Sequence, residues 1–155
     1  MSRILRKMTE KVRKAFFWLW ELKGSPAQRA RGVAVGVFSG CFPFFGFQTF
    51  FGIFLASLFK GNHLLAVAGT WISNPFTYVP LYWFNYKVGE VFLGQGSHSP
   101  SLGQLTRDQL WDQGLIFSSR ILLGSSIVGS LLGLIVGLGF YSLHKSLIRQ
   151  KTLAE

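Results

Sequence analysis

The side chains that carry hydrolytic, redox and metal chemistry are scattered through this 155-residue chain. Its three histidines, His63, His98 and His144, lie far apart, and Cys41 is the only cysteine. Catalysis and metal binding need such groups clustered. The acidic residues are few, and Asp108 and Asp112 form one i, i+4 pair beside Arg107. That spacing suits a solvated helical face better than a cation site. No glycine-rich loop followed by lysine is present, so a nucleotide site is not supported. One cysteine builds no intrachain disulfide, and Cys41 reads as a small buried hydrophobe. The expectation is a protein without catalytic residues, metal or cofactor, and not an enzyme.

The polar side chains that remain informative are neutral. Gln48 and Thr49 follow Pro43 and Gly46, and Ser73, Asn74 and Thr77 surround Pro75. Both groups lie inside uncharged runs. The first runs from Gly32 to Phe59, 28 residues, and the second from Asn62 to Tyr86. A bilayer core takes about 20 apolar residues to cross as a helix. Each run is too long for one plain span and too short for two, and each carries a proline at its centre. Helices broken within the membrane follow. A helix that begins at depth leaves its first N–H groups unpaired and its positive dipole end exposed. Such ends are tolerated where they line a polar cavity, and transporters use them to hold anions. If the two breaks face each other they build one polar pocket, with Arg29 and Arg31 supplying charge at its mouth. Asn74 is equally suited to cap its own helix, and Gln48 to bond a neighbouring one.

The rest of the chain must position these groups. Residues 2–23 read as an amphipathic helix, with Ile4, Leu5, Met8, Val12, Phe16 and Leu19 on one face and Arg3, Lys7, Lys11 and Lys14 opposite. It suits an anionic membrane surface. Ser25-Pro26 starts the next helix as N-cap and first position, which should stop near Cys41-Phe42 because Pro43 follows. A second piece, Gln48 to Phe59, returns to a turn at 60–62, and a third starts near His63. Ser73-Asn74-Pro75 repeats the cap-plus-proline signal of Ser25-Pro26. Residues 94–114 read as a polar loop with one helical turn. Ile121 to Leu143 is the plainest transmembrane helix. Gly129, Gly133 and Gly137 stand four apart on one of its faces, a ridge that serves packing within the chain or homo-oligomerisation.

Charge sets the partner class. Net charge is +10, which alone would suggest nucleic acid, but only 14% of residues are charged, against about a quarter in soluble domains. Nine of the sixteen Lys and Arg lie in the first 31 residues and three follow the last apolar run. Basic ends around apolar spans are placed in the cytoplasm. Anionic lipid, not nucleic acid, is the expected partner.

The stretch Gly36-Val-Phe-Ser-Gly-Cys-Phe-Pro-Phe-Phe-Gly-Phe-Gln-Thr-Phe, with Gly69-Thr-Trp-Ile-Ser-Asn-Pro-Phe-Thr and Pro80-Leu-Tyr, closely resembles the domain of unknown function 2062 family. These are small bacterial integral-membrane proteins. The resemblance covers roughly Ser25 to Leu143 and implies a plasma-membrane location, but no activity. The run Pro43 to Thr49 is also similar to the re-entrant motif of the DedA (VTT-domain) lipid-transport families. Gln48 stands where that motif has arginine, and two extra residues separate Pro43 from Gly46. That likeness concerns architecture, which does not fix function.

The expected fold is all-α and integral to the membrane. It comprises a basic interfacial helix (1–24), a core of two proline-broken, re-entrant-like hairpins (25–93), a polar loop (94–114), and a C-terminal transmembrane helix with a basic tail (115–155). The expected location is the bacterial plasma membrane, with several passes. The leading functional expectation is binding or translocation of an anionic lipid or lipid-linked phosphate without covalent chemistry. The candidate binding residues are Gln48, Thr49, Ser73, Asn74, Thr77, Arg29 and Arg31. A membrane scaffold subunit and a small-solute or ion channel are the alternatives.

Overall fold

A computed structural model describes Glu10 and residues 24–44, 46–94 and 107–154. These residues form helices and turns, with no strand among them. The helices are α1 (Pro26–Gly40), α2 (Phe47–Leu58), α3 (His63–Thr70), α4 (Tyr78–Leu93) and α5 (Arg107–Ala154). Apart from Glu10 and Gly24, the amphipathic helix expected over 1–24 lies outside the described residues.

Local chemistry accounts for the boundaries. Ser25 caps α1, its Oγ accepting from the Gln28 N–H at 3.2 Å, with Pro26 at the first turn. The helix tightens at its end, where the Cys41 N–H bonds the Phe38 carbonyl, and Pro43 follows two residues later. Gly46 precedes α2 at φ +83°, a left-handed conformation that glycine adopts without strain. Asn62 caps α3 through Oδ1 and the Leu65 N–H. The second break differs from expectation. Asn74 caps a turn and not a helix, its Oδ1 accepting from the Phe76 and Thr77 N–H groups, and α4 starts only at Tyr78. The polar segment after Gly94 also yields to helix earlier than expected. α5 is continuous from Arg107.

The course of the chain follows from its contacts. α1 and α2 form a hairpin that returns to its starting end. There the Arg31 guanidinium donates to the Lys60 carbonyl and the Asn62 N–H to that of Gln28. α3 then runs parallel to α1, with Gly32, Gly36 and Gly40 meeting Asn62, Ala66 and Thr70 backbone to backbone. α5 runs antiparallel to α1, with Gly137, Gly133 and Gly129 against Ala30, Ala34 and Phe38. α4 continues the direction of α3 and packs on an earlier stretch of α5, where Gly124 meets Asn85 and Gly89 meets Arg120. α1 and α4 therefore stand in succession along one long helix. The glycine ridge of α5 is covered by α1 of the same chain. What stays open beside it is an apolar groove of about 440 Å³, floored by Phe38, Gly129 and Gly133.

At about 1.5 Å per residue, α1 to α4 are each shorter than a ~30 Å hydrocarbon core, whereas the 48 residues of α5 reach about 72 Å. α5 is the one described helix long and apolar enough to cross a membrane, over Gln113–Ser146. Polar and apolar side chains share the interior, nine of each being buried among the described residues, whereas a water-soluble core is mostly apolar. The largest side chains with no exposure are Asn85, Thr70, Cys41, Ser39 and Ser125, four of them polar. Phe76, Trp71 and Phe47 are 92%, 75% and 74% exposed. Phe47, Phe50, Phe54 and Leu58 make an outward stripe on α2, and Leu131, Leu134, Ile135 and Leu138 one on α5.

Candidate functional site

The two breaks meet. Residues from both line a cavity of about 210 Å³, among them Gln48 and Thr49 at the start of α2, Thr70 at the end of α3, and Ser73, Asn74 and Tyr78 beyond it. Ser73 Oγ donates to Gln48 Oε1 at 3.0 Å, bridging the breaks directly. The Thr49 and Thr70 hydroxyls lie 3.5 Å apart as a second bridge. Gln48 and Ser73 are buried, at 7% and 4% exposure.

The hydrogen-bond directions give the cavity its character. Ser73 occupies Gln48 Oε1, so the hydrogen-bonding capacity left to the Gln48 side chain at the cavity wall is chiefly that of its amide N–H donors. Asn74 Oδ1 is engaged by two backbone N–H groups. The Thr70 hydroxyl donates to the Val67 carbonyl at 2.7 Å. α2 begins at the cavity without a side-chain cap.

The other candidate residues are elsewhere or otherwise engaged. Thr77 does not line the cavity: its hydroxyl donates to the Ile72 carbonyl at 2.7 Å and accepts from the Asn74 N–H at 2.8 Å, closing the turn. Pro75 lines the cavity wall, whereas Pro43 and Gly46 shape the first break without lining it. Arg29 and Arg31 lie at the opposite end of α1, about 16 Å away along its axis, because α2 returns there and leaves the break at the far end. Arg29 is buried, with Nη1 2.8 Å from His144 Nε2. Arginine keeps its proton, so the imidazole accepts in its neutral form. Arg31 holds the Lys60 carbonyl. Neither supplies charge to the mouth of the cavity. Among the described residues, no three of His, Cys, Asp and Glu converge.

A second set of polar groups was not singled out from the sequence. Tyr82 OH donates to the Phe42 carbonyl at 3.1 Å. Asn85 Nδ2 donates to the Cys41 carbonyl at 2.8 Å and to Ser125 Oγ at 3.0 Å. One helical turn further, Arg120 of α5 bonds Tyr86, Glu90 and the Gly94 carbonyl. Tyr82, Asn85, Tyr86 and Gly89 follow a three- and four-residue period, a polar and small face within an aromatic run. That period was the signal available.

Comparison with curated proteins and with solved structures gives no match. A family model does match, over residues 9–152. With nearly the whole length covered, the chain belongs to the family described as "Uncharacterized protein conserved in bacteria (DUF2062)".

Proposed function

We propose that this is a multi-pass protein of the bacterial plasma membrane whose two helix breaks hold the phosphate of an anionic lipid or lipid-linked phosphate, without covalent chemistry. The membrane placement rests on polarity: polar side chains make up half of the buried set, while many large phenylalanine, tryptophan and leucine side chains face outward. Large exposed apolar surface of this kind needs an apolar surrounding. In that setting α1 and α2 are a re-entrant hairpin, α3 and α4 one broken span, and α5 the return. The breaks lie level with Ser125 and Gly129 of α5, as the Asn85 and Phe38 contacts place them. Outward apolar residues continue on both sides, from Leu115 to Leu143.

The observation that carries the headgroup reading is the Ser73–Gln48 bridge, which joins the breaks at the cavity wall and takes up the Gln48 acceptor while leaving its amide N–H donors unspent. The full-length protein reconstituted in liposomes should accelerate transbilayer movement of a labelled phospholipid or polyprenyl phosphate. Gln48→Leu should abolish the acceleration. Parent protein no faster than empty liposomes, across several lipids, refutes translocation. Equal rates for parent and Gln48→Leu remove this cavity as the site.

A further inference from the structure

Arg120 is a buried cation whose donors are only partly engaged. It is 7% exposed and sits on α5 at the level where α4 ends. An ionisable group in such a position is expensive and commonly functional. Its Nη1 donates to Tyr86 OH at 2.8 Å and reaches Glu90 Oε1 at 3.5 Å, and its Nη2 donates to the Gly94 carbonyl at 2.8 Å. A guanidinium carries five N–H donors. The buried Nε–H has no partner among the described residues, and Nη2 spends one of its two N–H groups on the Gly94 carbonyl. Glu90 does not neutralise the site, because its closer bond is to Lys87, at 2.7 Å. Two cations share one carboxylate, and a net charge of +1 remains among these described side chains.

A cavity of about 280 Å³ opens beside this charge, lined by Leu93, Ile116, Ser119 and Arg120. Leu93, Ile116 and the neighbouring Phe117 are exposed on the outer surface. Phe117 stacks on Tyr86 at 5.2 Å, and Arg120 lies over the same Tyr86 ring at 5.7 Å, which fixes the wall behind the guanidinium.

We propose that Arg120 and this cavity form a second anion site, for a phosphate group, about 18 Å along α4 from the cavity between the breaks. A singly charged phosphodiester balances the net +1, and an arginine edge matches phosphate oxygens in pairs. The apolar rim at Leu93 and Ile116 suits a chain attached to that phosphate. This site goes beyond the one between the breaks and shares with it only the membrane placement.

Binding of two probes to detergent-solubilised full-length protein tests the assignment: inorganic phosphate, and phosphatidylglycerol in mixed micelles against phosphatidylcholine. Arg120→Gln should weaken binding of the preferred probe about tenfold or more, the loss expected for a charge-assisted bond. Ser119→Trp should do the same by filling the cavity, with the three bonds of Arg120 left in place. A response to inorganic phosphate alone names a soluble anion, and one to phosphatidylglycerol only names a lipid headgroup. Either supports the site if both variants lose it. Undiminished binding in Ser119→Trp, or no binding of either probe to the parent, overturns it. Binding that is lost in Gln48→Leu but kept in Arg120→Gln assigns the anion to the cavity between the breaks and overturns it as well.

Discussion

Asn85 ties α4 to the end of α1, its Nδ2 donating to the Cys41 carbonyl oxygen at 2.8 Å. That carbonyl belongs to the break before Pro43, and among the described residues no main-chain N–H bonds it, so the side chain supplies a donor. The same amide holds Ser125 of α5, and Asn85 has no exposed surface. Asn85→Leu leaves two buried acceptors unpaired and should lower stability by about 1–3 kcal/mol. Ser125→Ala removes one bond and should cost about 0.5–1.5 kcal/mol. Thermal unfolding in detergent measures both, and an unchanged Asn85→Leu midpoint would show that the tie is dispensable.

A Cβ at Gly124 would overlap the Asn85 carbonyl, and one at Gly89 the Arg120 carbonyl. No rotamer relieves an overlap with backbone, so α4 and α5 must move apart. Gly124→Val and Gly89→Val should each destabilise by about 1–3 kcal/mol or more. Gly114 and Gly139, also helical, have open space at the same position. Alanine there should be neutral or stabilise by up to about 1 kcal/mol through helix propensity. The contrast is read from yield and unfolding of the four variants side by side.

The outward phenylalanines separate the two possible surroundings of the protein. Phe54 is 63% exposed and midway along α2. In water, Phe54→Lys would be harmless. In hydrocarbon, a lysine costs about 2.5–3.5 kcal/mol on insertion scales. The variant should insert poorly into membranes and accumulate less than the parent. Equal membrane-bound yield would argue that this face meets water.

The chain course places Ser57 and Ser146 at one end and Lys87 toward the other. In a Cys41→Ser background, Ser57→Cys and Ser146→Cys should react with an impermeant maleimide from the same side of sealed vesicles. Lys87→Cys should react from the opposite side. Labelling of all three from one side would refute α3 and α4 as a single crossing.

Cys41 has no exposed surface. In the otherwise native protein it should resist a membrane-permeant maleimide until detergent unfolds the chain, then react fully. Rapid reaction of the folded protein would place the first break in contact with water.

The helices of the N-terminal half were legible because their boundaries are written in local chemistry: Ser25-Pro26 before α1, Pro43 after it, Asn62 before α3. The pairing of Gln48 with Ser73 was legible only as a possibility, since nothing local dictates that two breaks 25 residues apart share a cavity. Thr77 looked like a cavity residue because its type fits, yet its hydroxyl is engaged by the turn that Asn74 builds. Arg29 and Arg31 were misplaced relative to the cavity because a hairpin separates near neighbours in sequence by the length of a helix. Arg120 borders the last apolar run and reads there as an ordinary flanking charge. Only the packing of α4 on α5 turns it inward. The register of that packing rests on Gly89 and Gly124, and Gly124 falls outside the four-residue spacing of Gly129, Gly133 and Gly137.

Where α4 crosses α5, the spacing of the two rods is decided by single hydrogen atoms on two α-carbons. Side chains elsewhere on these surfaces can vary in bulk without altering that distance, because carbonyl groups already fill the gap. The placement of Arg120 and Asn85 is thus inherited from main-chain geometry, and tolerance to substitution should drop sharply at those two positions while staying broad around them.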